Sequence, residues 1–157
     1  MNGHDIQGCL ACDLTNGRRE LPGGRIHATE HWVVEHCVGP LGLGTLIVKP
    51  ERHCLHVWDM TESEAAELGP LLRRVTMAIG ELVDADQVYV GLWSHMNWTP
   101  GHIHFVVQPA WNRLREQHER PGPFLQAEMF EANELPPPDE VTAFAEKARS
   151  ALGALPS

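Results

Sequence analysis

The sequence has no apolar run of about 18 residues, so nothing in it reads as a membrane-spanning helix. It is short of positive charge: lysine and arginine total 12 against 21 aspartates and glutamates, for a net charge of −9. That balance argues against a nucleic-acid polymer as the main partner, since such binders are usually basic. The start, Met1-Asn2-Gly3-His4-Asp5, lacks the basic and apolar stretches of a signal peptide. The location to expect is the cytoplasm, where thiols stay reduced. Internal repeats and low-complexity tracts are absent. What remains is 157 residues, 43% apolar and 21% charged, which suits one soluble globular domain. Ten histidines is a high count for that size, and it directs attention to metal binding or catalysis.

Periodicity places the elements. Arg25 to Thr29 and His31 to Val38 read as two strands around a turn, and Thr45 to Val48 as a third, stopped by Lys49-Pro50. Thr61 and Glu64 form a capping-box pattern. After it Leu68, Leu71, Leu72, Val75, Ile79 and Leu82 share one helical face, with a kink or late start expected at Pro70. Gln87 to Trp93 is a fourth strand and His102 to Gln108 a fifth, joined by a polar, aromatic loop. Residues 110 to 135 show no clear period. A last helix follows Pro136-Pro137-Pro138-Asp139, burying Val141, Phe144, Ala145, Ala148 and Leu152. The fold class is α+β, an antiparallel sheet of about five strands with a central helix and a C-terminal helix.

Two clusters carry chemistry. In the fifth strand His102, His104, Val106 and Gln108 share one face, while Ile103, Phe105 and Val107 face a core. The first set reads as the floor of a site. Near the start, Cys9 and Cys12 form a Cys-x-x-Cys pair, either redox-active or half of a zinc site. The short polar lead before Cys9 does not suit a thioredoxin-like pair. Zinc needs two more ligands, for which His53 and His102 are the favoured candidates. Cys37 and Cys54 read as core or partly exposed thiols, Trp32, Trp58 and Trp93 as core, and His4, His27, His31, His56 and His118 as surface positions.

His102-Ile103-His104-Phe105-Val106-Val107-Gln108-Pro109 resembles the histidine triad (HIT) signature, His-φ-His-φ-His-φ-φ, often followed by Pro. Leu46-Ile47-Val48-Lys49-Pro50-Glu51-Arg52-His53 is similar to that family's apolar strand and Pro-x-x-His. Cys9-Leu10-Ala11-Cys12 resembles its zinc-binding branch, in which such a pair, the His after that Pro and the first triad His hold one zinc. The likeness covers roughly residues 9 to 110, with 111–157 as a C-terminal extension of the same domain. It implies a structural zinc on Cys9, Cys12, His53 and His102, and a homodimer formed through the central helix and a sheet edge.

Aligned on Pro109, His102 is the first triad position, His104 the second and Val106 the third, so the third histidine is replaced. The resemblance implies that His104 is the nucleophile, forming a nucleotidyl-histidine at an α-phosphate. It further implies that Thr99, five residues earlier, contacts phosphate. Asn97 is available as another phosphate donor, and Gln108 as a partial substitute for the missing histidine. The acidic residue that grips ribose in many relatives has no match; its place falls near His36-Cys37, close to Glu35. The expected substrates are small nucleotides: dinucleoside polyphosphates, nucleotide phosphoramidates or nucleotide sugars. The alternative is a nucleotide-binding module with little or no catalysis.

Overall fold

The structure, a computed structural model, describes residues 5–93 and 100–155. Five strands form one antiparallel sheet: β1 (Arg25–Ala28), β2 (Trp32–His36), β3 (Leu46–Pro50), β4 (Gln87–Trp93) and β5 (His104–Ala110), in the order β1-β2-β3-β5-β4. The helices are α1 (Leu10–Thr15), α2 (Glu62–Val83), α3 (Pro123–Ala132) and α4 (Pro138–Ala154). None of the described helices is long and apolar enough to cross a membrane.

The expected capping box starts α2. The Glu64 N–H donates to Thr61 Oγ1 at 3.2 Å, and the Thr61 N–H donates to Glu64 Oε2 at 2.7 Å. The helix therefore begins at its cap and runs through Pro70 rather than starting late. Its Leu71, Val75 and Ile79 pack with Phe144, Ala145, Ala148 and Leu152 of α4 against Trp32, Val34, Leu46, Val48 and Val107 of the sheet. The Trp32 indole N–H reaches the Glu64 carbonyl at 3.0 Å, so the largest core side chain leaves no polar atom stranded. At Gly23 (φ +78°) a Cβ would sit 2.4 Å from the Ala145 Cβ, which fixes glycine where the loop before β1 crosses α4.

Four expectations need correction. β3 runs through Lys49-Pro50 instead of stopping before them, and Trp93 is half-buried rather than core. Trp58 is not core: it is 80% exposed and stacks on the His56 imidazole at 4.4 Å. The last strand begins at His104, two residues later than its pattern suggested. The Ile103 N–H donates instead to the Cys54 carbonyl at 2.9 Å, drawing His102 and Ile103 off the sheet.

Candidate active site and metal centre

The face of the sheet away from α2 and α4 carries the polar groups. Along β5 it shows His104, Val106 and Gln108; along β4, Trp93 and Tyr89, their direct cross-strand partners. α1 covers one end of this face and α3 the other.

At the α1 end the side chains of Cys9, Cys12, His53 and His102 converge, their ligand atoms all within 4.8 Å of one another. Cys9 Sγ lies 3.6 Å from His102 Nδ1, Cys12 Sγ 3.6 Å from the same nitrogen, and Cys12 Sγ 3.5 Å from His53 Nδ1. A tetrahedral zinc with Zn–S of about 2.3 Å and Zn–N of about 2.0–2.1 Å has S···N edges of about 3.5–3.6 Å. The donor set and its spacing fit that ion. The His102 Nε2–H donates to the Pro50 carbonyl at 3.1 Å, which fixes the tautomer and leaves the Nδ1 lone pair toward the thiols. Burial drives His102 down to about 3 and lowers His53 as well, so both rings are neutral at physiological pH. Burial likewise pushes the Cys12 thiol up to about 11.

The loop that brings His53 in is held from outside. Arg52 donates to both Glu64 oxygens, at 2.6 and 2.8 Å, and to the Asp59 carbonyl at 2.6 Å. Beneath α1 lies a pair that the motifs did not reveal. Lys49 Nζ donates to Glu35 Oε1 at 2.5 Å and to the Ala11 carbonyl at 2.8 Å, with both side chains buried. It ties the cysteine helix to the middle of the sheet. Burial raises the Glu35 carboxyl and lowers the Lys49 ammonium, and their pairing opposes both shifts. Glu35 is thus engaged by Lys49, and Cys37 is a buried thiol pushed up to about 11 by its surroundings.

His104 stands between the two ends. Its Nδ1 lies 3.0 Å from the His102 carbonyl oxygen. A carbonyl only accepts, so Nδ1 carries the proton and Nε2 keeps the lone pair. Gln108 is 1% exposed and lies under α3: its Nε2 donates to the Leu41 carbonyl at 3.2 Å and meets Met129 Sδ at 3.1 Å. Val106 is buried against Leu41 and Cys37. Of the expected floor, Val106 and Gln108 are thus buried, while His104 and its cross-strand neighbour Trp93 are half-buried. Asn97 and Thr99 fall outside the described residues.

A polar sheet face flanked by a cysteine-bearing helix and a histidine-bearing strand, with the core on the opposite side, defines the class: an α+β domain with one chemical face. Solved structures give that class its name. A Hit-like protein involved in cell-cycle regulation from Bartonella henselae matches with a TM-score of 0.71 and 14% identity, over 94% of this chain and 98% of that one. A hypothetical histidine triad nucleotide-binding protein from Sulfolobus tokodaii matches at 0.68 and 18%, over 92% of each chain. A Zn-bound histidine triad family protein from Mycobacterium smegmatis matches at 0.66 and 20%, over 93% and 94%. No protein-family model and no curated protein matches the sequence. The chain has the histidine triad fold.

Proposed function

We propose that this chain is a zinc-stabilised histidine triad enzyme that hydrolyses or transfers a nucleotidyl group, with His104 as nucleophile. The observation that carries this reading is the bond between His104 Nδ1–H and the His102 carbonyl. Nε2 forms an N–P bond to the α-phosphorus while the bond from phosphorus to the leaving group breaks. The leaving group departs with that electron pair and takes a proton from solvent. The modified ring is cationic, so its Nδ1–H bond to the carbonyl becomes charge-assisted. Water or another acceptor then bonds to the phosphorus as the N–P bond breaks; the lone pair returns to Nε2, the acceptor's proton goes to solvent, and the nucleotide or its new ester is released.

Asn97 and Thr99 are assigned to the phosphate. Gln108 reaches it only past Met129; as placed, it braces the loop at Leu41. Zinc is the ion we assign to Cys9, Cys12, His53 and His102, where it supplies a cross-link between α1, the loop after β3 and the approach to β5. A reducing compartment, the cytoplasm, suits these thiols. The protein is further read as a homodimer, because β4 is a seven-residue edge strand with exposed Val90 and Leu92.

The test is to mix the protein with a labelled dinucleoside polyphosphate, quench it, and look for acid-labile label. Wild type should carry the label on His104, and His104→Gly should neither carry it nor turn over; turnover in His104→Gly would sink the mechanism. The apolar Val106 at the third triad position favours the second reading, a binding module. That reading predicts tight nucleotide binding with no label at all.

A further inference from the structure

Trp93 and His104 are direct cross-strand partners, so both side chains leave the sheet on its chemical face, with ring centroids 6.5 Å apart. The indole is fastened from the far side by α3, outside the stretch that resembles the triad family. Its Nε1–H donates to Gln126 Oε1 at 3.0 Å, and Phe130 lies on it with centroids 5.1 Å apart and planes 30° apart. Gln126 is only 5% exposed. Burying an amide is costly unless it is hydrogen-bonded, and this bond fixes the plane of the indole. Phe130, by contrast, is 41% exposed, so the aromatic surface built beside the nucleophile is not sealed into a core.

We propose that Trp93 and Phe130, with Gln126 as positioning residue, form a stacking wall that selects substrates carrying a second planar ring, on the leaving-group side of the reacting phosphate. The distal base of a dinucleoside polyphosphate has that chemistry; a small amine on the phosphorus does not. The wall rests on the reading of His104 as the reacting centre and adds to it a determinant of selectivity. Nucleobases suit such a surface because every base offers a π-face, whatever its hydrogen-bonding edge.

The test measures binding first. Full-length wild type, Phe130→Ala, Gln126→Leu and Gln126→Glu are each dialysed to equilibrium against two ligands that cannot turn over: diadenosine tetraphosphate with methylene groups for its bridging oxygens, and adenosine 5′-methylphosphonate, in which P–CH3 stands for P–NH2. Phe130→Ala should raise Kd for the two-ringed ligand about tenfold, and leave the one-ringed ligand within about twofold. Gln126→Leu should weaken the two-ringed ligand in the same selective way. Gln126→Glu should restore it, because a carboxylate again accepts the indole N–H. Equal losses for both ligands, no loss for either, no rescue by Gln126→Glu, or a wild type that binds neither would each overturn the wall. Circular dichroism and zinc content report whether the variants fold. If Phe130→Ala does not, Phe130→Leu, which keeps apolar bulk without the ring, is read in its place. Wild type that discriminates the ring yet yields no label on His104 would sink the catalytic reading and leave the wall standing.

Discussion

Lys49 is a cation with almost no water around it, and its two partners are what make its charge tolerable. Lys49→Met would leave the buried Glu35 carboxylate without a counter-charge. Breaking a buried pair from one side costs about 3–5 kcal/mol. Urea denaturation should show a loss of that order, and adding Glu35→Leu should recover most of it; an unchanged midpoint in the single variant would contradict the pairing. His36 sets a pH dependence. Its Nδ1–H donates to the Cys37 carbonyl at 2.8 Å and its Nε2 accepts the Gly44 N–H at 2.9 Å, so the buried ring is neutral. Burial lowers its pKa below the ordinary value of 6.5. Below that pH the unfolded chain takes up a proton that folded His36 refuses, so its contribution is whole above about pH 6.5 and shrinks as the pH falls toward the folded value. Urea midpoints between pH 8 and 5 should fall, and His36→Asn should flatten the slope; identical slopes would remove His36 from the account.

Among the elements, β4 makes the sharpest prediction. An edge strand of this length with Val90 and Leu92 exposed invites pairing with a second copy. If the chain pairs through this edge as proposed, light scattering should give a dimer mass for wild type and a monomer mass for Leu92→Lys; an unaltered mass would exclude this edge as the interface. β4, α2 and α4 were the elements most legible in the sequence, because each carries a regular pattern or a cap. Val141, Phe144, Ala145, Ala148 and Leu152 are all buried at their expected places. α1 was not legible: a six-residue helix has no room for a period, and cysteines rather than an apolar stripe anchor it. α3 was hidden for another reason. Leu125 is buried and Phe124 and Phe130 are exposed, so its apolar residues serve more than one surface and draw no stripe. The convergence of Cys9, Cys12, His53 and His102 could be read from motif order, as could the placing of His104 on the polar face beside it. Gln126 and Phe130 could not, because what they touch lies more than thirty residues away in sequence. The Lys49–Glu35 pair left one faint signal: each charge alternates with core residues, and the two sit diagonally across β2 and β3.

At the scale of the whole molecule, one face of the sheet is given to packing and the other to chemistry, with the chemical face closed at both ends by short helices. The α1 end depends on four ligand side chains. If these residues hold the zinc assigned to them, Cys9→Ser protein should lack it by metal analysis and melt at a lower temperature; undiminished metal would exclude the site. The sharpest dependence runs through a single residue. The ring of His102 belongs to the ligand cluster, while its main-chain oxygen holds the tautomer of His104. If His104 reacts as proposed, a chelator or a thiol oxidant acting on α1 would mis-set it without ever meeting a nucleotide, and turnover would report the redox and metal supply of the surroundings.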